Sequence, residues 1–535
     1  MSSHGEGKEN IMKVVVLTPT VAQVTFNAKD QGVMKQVASL LSYTDPNAAY
    51  LTQKHVRDWR FKHRDLTGWQ RYLDMLKEKE VIKMYQEQAK SVWRFRTGSL
   101  HLLLEKNLLT TEDVLGAVKP PTMSSAMPLV TPLPYELYPY QQQALTALMG
   151  NPHAHVEICT GSGKATIALL LAQKLGRKCA VVVPFKENAR ALLEFFRYHL
   201  GGGCVGLYGD GRKDLGCQVT ICIGRSLSNI TAESKPQDYK FFRHQKVLIV
   251  DESHTWAAET MEELCHGLFA HVPYRYFMSG TQEKSVQQAN LLASIIGPKV
   301  FSLTTSEAVR QGFICPHEYV IYENVPLAPV GKNDDAPDPA NVLALRRHHL
   351  LLNPAIIRFV AEACAADLRK KQCSLILVEE VSQVDAIISI WSDLGLAESK
   401  DYSVATGKGK AGTVAKAVTA FNAGDVGILI GTSCIATGVN LYPQHKTYNL
   451  CGGGAVNSVR TCQGAVGRSV RFAASNPAIK NHSYPTDRFD VKEKTIIIDF
   501  DLDHAQKHLH RHLKKRIDYY GLSGSTITFV DFQAK

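Results

Sequence analysis

Two short stretches of the chain hold residue types that can do phosphate chemistry. The first is Ile158-Cys159-Thr160-Gly161-Ser162-Gly163-Lys164-Ala165-Thr166, set between an apolar run and the helical stretch Ile167–Leu175. A glycine-rich turn from strand to helix aims backbone N–H groups and a helix N-terminus at a phosphate, and Lys164 can reach the terminal phosphates of a nucleotide. The stretch departs twice from the pattern G-x-x-x-x-G-K-[ST]. Ile158 stands at the first glycine, and Ala165 stands where a hydroxyl normally binds Mg²⁺. Thr166 is one position on, about 100° around the helix, so its hydroxyl does not simply substitute. The second stretch, Leu248-Ile-Val-Asp251-Glu252-Ser253-His254, puts two carboxylates directly after an apolar strand. Asp251 suits Mg²⁺ beside the phosphates, and Glu252 suits the attacking water. Alone, the first stretch could be a tight connection and the second a helix cap. Their spacing of about ninety residues favours one ATP site built from both.

The elements around them must hold these residues in place. From Tyr140 to about Glu323, short apolar runs alternate with helical stretches: Val156–Ile158, Cys179–Val183, Val219–Ile223, Val247–Val250, Tyr276–Met278 and Glu318–Tyr322. That alternation predicts a parallel sheet with helices on both faces. Pro326–Asn341 carries four prolines and reads as an exposed hinge. The pattern then repeats: helices over Val342–Lys371, then strands Leu375–Val378, Ser403–Ala405, Gly427–Ile430, Thr447–Leu450 and Thr495–Phe500. Two α/β lobes joined by a hinge are expected to bind ligands in a cleft at the carboxyl ends of their strands. Ahead of them, Lys13–Leu17 and Val21–Thr25 read as two paired strands and Val33–Ser42 as a helix, and Pro120–Pro139 reads as a linker. The division is therefore a small α+β unit over 1–125, a first lobe over 126–325, the hinge over 326–341 and a second lobe over 342–535.

The N-terminal unit holds three of the five tryptophans, interleaved with cations: Trp59, Arg60, Lys62, Arg64, Trp69, Arg71, Trp93, Arg94 and Arg96. Such a mixture can grip a nucleic-acid backbone and stack on bases; equally, the tryptophans can be a small core and the arginines its wet face. A net charge of +11 agrees with a polyanionic partner. The twelve cysteines are scattered, with no C-x-x-C pair and no zinc-like spacing, and read as reduced core residues. No run approaches the ~20 apolar residues of a membrane span, and Met1–Asn10 is polar, so a cytoplasmic protein is the simplest expectation. The final helical stretch, Asp503–Tyr520, places His504, His508 and His512 four apart. Its stripe of Leu502, Leu509, Leu513, Ile517 and Tyr520 points instead to packing, with a basic outer face.

Taken in order, the phosphate loop, D-E-S-H, Met278-Ser279-Gly280-Thr281, Gly431-Thr432-Ser433, Thr437-Gly438-Val439-Asn440 and Gln463-Gly-Ala-Val-Gly467-Arg468-Ser-Val-Arg471 resemble the motifs of superfamily 2 helicases, over roughly residues 138–475. Tyr140-Gln141 resembles the short adenine-reading motif of that group. Within it, the chain is most similar to phage recombination helicases of the UvsW type, on Ile295-Ile-Gly-Pro298, Gly312-Phe-Ile-Cys-Pro316 and the W-x-F-x-[TS]-G element at Trp93–Leu100.

The resemblance implies two RecA-like lobes and an N-terminal domain that binds duplex. It implies ATP held by Tyr140, Gln141, Thr160, Gly161, Ser162, Gly163, Lys164, Ala165, Thr166 and Gly438, and Mg²⁺ on Asp251. Catalysis would fall to Lys164, Asp251, Glu252, Gln463, Arg468 and Arg471, the last two as arginines reaching the γ-phosphate. His254, Ser279, Gly280 and Thr281 would couple hydrolysis to lobe closure. Arg225, Ser226, Thr432 and Thr437 would grip a single strand across both lobes without reading its sequence, and Trp59, Arg60, Arg64, Arg94 and Arg96 would hold duplex. The implied activity is an ATP-dependent, 3′-to-5′ DNA helicase or translocase acting on branched or forked duplex, alongside recombination or replication proteins, in the bacterial host cytoplasm if the chain is phage-encoded. Two rivals remain at this point. One is an RNA helicase, because a phosphate grip does not separate DNA from RNA. The other is a nucleotide-gated clamp of low turnover, because Ala165 lacks the metal-binding hydroxyl.

Overall fold

A computed structural model describes residues 12–27, 31–44, 51–53, 55–56, 66–122, 126–253, 258–280, 286–330, 337–338, 341–407, 412–432, 435, 441–451, 470–502, 507–521 and 523–533. The chain divides into two compact units: residues 1–157, 165–184 and 195–302 in the first, and 158–164, 185–194 and 303–535 in the second.

Among the described residues, the first unit contains two main sheets and a two-stranded ladder. The small N-terminal one is built from β1 (Met12–Thr18), β2 (Val21–Phe26), β5 (Tyr85–Ala89), β6 (Val92–Arg96) and β7 (Val114–Leu115), in the order β5-β6-β2-β1-β7. Alternation along β1 and β2 turns Met12, Val14, Ala22, Val24 and Phe26 inward. Trp93 packs edge-on to Phe26 at 4.7 Å and stacks on Tyr85 at 4.4 Å. Trp69 is also buried, its Nε1 donating to the His55 carbonyl oxygen at 3.2 Å. These two tryptophans are therefore core residues. A separate ladder pairs β3 (Ser42–Thr44) with β4 (Val81–Lys83), so the chain turns into a strand where a helix over Val33–Ser42 is expected; the helix spans Gln31–Leu40.

The larger sheet of this unit comprises β8 (His153–Ile158), β9 (Cys179–Val183), β10 (Val205–Gly209), β11 (Arg212–Lys213), β12 (Val219–Ile223), β13 (Val247–Val250), β14 (Tyr274–Ser279) and β15 (Lys299–Leu303). Their order is β11-β10-β12-β9-β13-β14-β8-β15. Strands β9, β12 and β13 are buried along their whole length, as parallel strands covered on both faces must be. The Pro120–Pro139 stretch is not a free linker. Met127 exchanges hydrogen bonds with Gln173 (2.9 and 2.6 Å), and the His199 carbonyl accepts from the Val130 N–H at 2.8 Å while its Nδ1 bonds the Thr131 carbonyl at 2.7 Å. A proline-rich composition forbids regular structure here without forbidding docking.

The second unit contains β16 (His317–Val325), β17 (Cys373–Leu377), β18 (Tyr402–Ala405), β19 (Ile428–Gly431), β20 (Gln444–Asn449), β21 (Thr495–Leu502) and β22 (Ile527–Asp531), ordered β18-β19-β17-β20-β21-β16-β22. This corrects the lobe boundary. Strand β16, expected at the end of the first lobe, pairs in parallel with β21 and β22, from the far end of the chain. Pro326–Asn341 therefore connects elements of one unit and does not divide the lobes. Residues 331–336 and 339–340 lie outside the described residues. The core of this sheet closes around Trp391, fully buried, with its Nε1 donating to the Ala361 carbonyl at 3.1 Å.

In the final helix, Lys507–Gly521, Leu509, Leu513 and Tyr520 are buried as the apolar stripe predicts. His510 bonds Asp501 at 3.0 Å and His512 is buried; His504 lies outside the described residues. Arg516, expected on the basic outer face, is buried and forks onto Asp499. A guanidinium among apolar residues is tolerated only with such a partner.

Candidate nucleotide site

The phosphate loop leaves β8 and ends in the helix Lys164–Leu175. Gly161 (φ +91°) and Gly163 (φ +77°) adopt left-handed backbone that a side chain would strain, so both glycines are required by the turn. Ile158 needs no such freedom: it is the last residue of β8 and fully buried. The Ser162 hydroxyl donates to the Cys159 carbonyl oxygen, closing the turn. Lys164, the first helical residue, is buried, and its ammonium reaches back to the Ile158 carbonyl at 3.3 Å. Cys159 is buried, and that burial raises its thiol above its ordinary range.

The acidic pair opens from β13. Because β13 and β8 both run parallel to the intervening β14, their carboxyl ends face the same way. The Asp251 N–H donates to the Val182 carbonyl oxygen at 2.9 Å, anchoring the residue to β9, and its Oδ1 accepts from the Glu252 N–H at 2.9 Å. Glu252 itself holds φ at +49°. A non-glycine residue in that region costs on the order of 1 kcal/mol or more and persists where its surroundings impose it. Ser279 ends β14 and, with Gly280, is buried.

For Mg²⁺, the donor chemistry is that of one carboxylate. Asp251 offers hard oxygen, Ala165 offers nothing, and the Thr166 hydroxyl is buried and bonded to the Tyr135 hydroxyl at 3.0 Å. Asp251 can therefore hold the metal, with the remaining ligands left to phosphate and water. The Tyr135 partner of Thr166 carries no motif and was invisible in the sequence.

At the position expected to read adenine, the Gln141 side-chain oxygen accepts from the Tyr138 N–H at 3.1 Å, capping the helix Pro139–Met149. Tyr140 is buried and stacks on the more exposed Tyr138 at 5.7 Å. Arg225 stands exposed in the turn that follows β12, with Ser226 half-buried beside it.

In the second unit, Thr432 follows β19, its N–H bonded to the Ala405 carbonyl oxygen at 3.1 Å. Burial lowers the Arg471 pKa, the Tyr442 hydroxyl opposes that shift through a hydrogen bond, and its Nε is buried with no partner among the described residues.

Two N-terminal cations separate. Arg94 is exposed, its Nε bonding Gln23 at 3.3 Å. Arg96 is instead turned into the protein, onto Glu262 and onto Ser294 at 3.2 Å, and this takes it out of the expected duplex-binding set. Trp59, Arg60, Arg64, His254, Thr281, Thr437, Gly438, Gln463 and Arg468 lie outside the described residues.

Residues 134–283 match the family model described as the type III restriction enzyme, res subunit. The DNA 3′-5′ translocase XPB2 of Sulfurisphaera tokodaii is 24% identical over 243 residues, which are 44% of this chain and 48% of that protein. The chain thus spans about half the length of the curated relative it matches. Among solved structures, the DEAD-box helicase Mss116 bound to ssRNA and UDP-BeF is 14% identical, covers 75% of each chain and has a TM-score of 0.52, a likeness of fold. The crystal structure of T4 UvsW is 12% identical, covering 97% of this chain and 99% of that one with a TM-score of 0.39. With its loop, acidic pair and two mostly parallel sheets, the chain is similar to helicases of superfamily 2, and its two α/β lobes with a small N-terminal domain resemble tandem RecA-like folds.

Proposed function

We propose that the chain is an ATP-dependent DNA translocase or helicase that acts on branched duplex, moving 3′ to 5′. The observation that carries the ATP reading is that a lysine-bearing glycine loop follows β8 and Asp251-Glu252 follow β13, strands of one sheet whose carboxyl ends face the same way. Lys164 offsets phosphate charge, Asp251 would hold Mg²⁺, and Glu252 orients the attacking water and accepts its proton. When bound, Mg²⁺ neutralises charge on the phosphate oxygens. Arg468 and Arg471, in the Q-x-x-x-G-R-x-x-R stretch, stabilise the transferred phosphoryl group. Removing such an arginine costs on the order of 10³-fold or more in turnover.

The DNA reading is supported by the name of the S. tokodaii relative, and branched-duplex action by the UvsW-type motifs at Trp93–Leu100 and Gly312–Pro316. The Mss116 likeness, to a protein bound to ssRNA, keeps RNA in the test. ATP turnover measured with forked DNA, linear duplex and structured RNA decides. Forked DNA is expected to stimulate most, and Lys164→Ala to abolish the stimulated rate. Stimulation by RNA alone would overturn the DNA reading, and no hydrolysis with any of the three would favour a clamp.

A further inference from the structure

Among the described residues, three attachments of the N-terminal sheet to the rest of its unit fall on elements that adjoin, in the chain, a motif assigned to the nucleotide site. The helix Ala258–Glu263 begins four residues after His254, the last residue of D-E-S-H, and contributes Glu262. The helix Val286–Ile296 begins five residues after Thr281, the last of S-G-T, and contributes Ser294. One guanidinium bridges both: Arg96, at the end of β6, donates from Nη2 to Glu262 and from Nη1 to Ser294 at 3.2 Å. Two residues on, Gly98 lies so close to the second helix that a Cβ would come within 2.3 Å of the Ala293 carbonyl oxygen and 2.5 Å of that of Ser294. This explains the glycine of the W-x-F-x-[TS]-G element, since any side chain would push β6 off the helix. A third attachment comes from β14, the strand that leads into S-G-T. There the buried Arg275 donates to the Pro19 carbonyl oxygen at 2.9 Å, in the β1–β2 turn.

We propose that Arg96 is a positioning residue that transmits nucleic-acid engagement of the N-terminal domain to the two helices following D-E-S-H and S-G-T. The proposal rests on the nucleic-acid-stimulated ATPase reading above. Arg94, two residues earlier on the same strand and exposed, lies on the face of β6 that Arg96 continues, so a load on that face is carried directly into the bridge. Coupling free energies between sites of this kind correspond to about 5–150-fold in a linked equilibrium, and a half-buried ion pair spanning two helices is a suitable carrier.

The test compares wild type with Arg96→Ala, with Glu262→Gln, and with the exchanged pair Arg96→Glu/Glu262→Arg, each checked for a wild-type thermal midpoint. Steady-state ATP turnover is measured with and without forked DNA, and hydrogen exchange is followed in residues 258–263 and 286–296 on adding the same DNA. Basal kcat is expected to stay within about twofold and the stimulated kcat to fall at least about fivefold in both single variants, with recovery in the exchanged pair. Exchange in the two helices is expected to respond to DNA in wild type and not in Arg96→Ala. Unchanged stimulation in Arg96→Ala would overturn the coupling while leaving the ATPase reading intact. If wild type hydrolyses no ATP, that reading fails and the exchange measurement decides: an identical response in wild type and Arg96→Ala overturns the coupling.

Discussion

Buried charge is held differently at particular positions of the two large sheets. At the second sheet, two buried carboxylates have full sets of partners. Asp499 accepts from Arg516 (2.7 and 3.1 Å) and from the Tyr520 hydroxyl (2.8 Å), while Asp367 accepts from Lys446, from Tyr448 (2.9 Å) and from Ser374 (3.0 Å). The first sheet buries a cation, Arg275, whose hydrogen-bond partners among the described residues are the carbonyl oxygens of Pro19 and Cys265 and the ring of His153, with no carboxylate. Burial pushes its pKa down to about 10, and burial together with Arg275 and Arg96 pushes His266 down to about 3. A saturated ion pair ties a sheet to its own helices. A guanidinium short of acceptors gains by drawing in a carbonyl from elsewhere, and here that carbonyl belongs to the N-terminal domain.

Breaking the saturated pair should cost most. Asp499→Ala leaves Arg516 charged and buried, so chemical denaturation is expected to show a loss of about 3–5 kcal/mol, whereas Asp499→Leu with Arg516→Met should recover most of it. A single-variant loss below about 1 kcal/mol would mean that the pair is not a stabilising centre.

Arg275→Met removes a charge held only by neutral acceptors. Its expected cost is smaller, about 1–3 kcal/mol, and proteolysis between the N-terminal sheet and the first lobe should accelerate. A loss equal to that of Asp499→Ala would erase the distinction between the sheets.

The two regions should also separate by pH. His266 titrates lower when folded than unfolded, so the unfolded chain takes the proton first; the stability this gives is present above about pH 6.5 and is lost as pH falls toward 3. His266→Gln should flatten that limb of the thermal midpoint. Lys492, in the second unit, is pushed down to about 8 by burial, so stability should rise as pH climbs from about 8 to 10.5, and Lys492→Met should remove that rise.

The smallest stability change is expected at Glu252. Asn tolerates left-handed backbone better than Glu, so Glu252→Asn should hold or raise stability by up to about 1 kcal/mol while lowering stimulated turnover at least about a hundredfold. A destabilised variant would show that Glu252 is held by its side chain and not imposed by the turn.

Residue type and order by themselves determined the parts of this protein whose physics is local. Gly161, Gly163 and Lys164 announce a tight strand-to-helix turn because turn geometry and helix polarity act over a few bonds, and the runs at Cys179–Val183, Val219–Ile223 and Val247–Val250 announce buried parallel strands because both faces of such strands are covered. Tertiary structure alone decided what depends on distant partners. Strand β16 belongs to the second sheet because β21 and β22, more than 170 residues later, flank it. Tyr135 takes up the Thr166 hydroxyl from a stretch whose composition reads as linker. Arg94 and Arg96, alike in sequence, part company because only Arg96 meets a carboxylate, supplied by a helix 166 positions away, and no local pattern encodes which of two cations will find one.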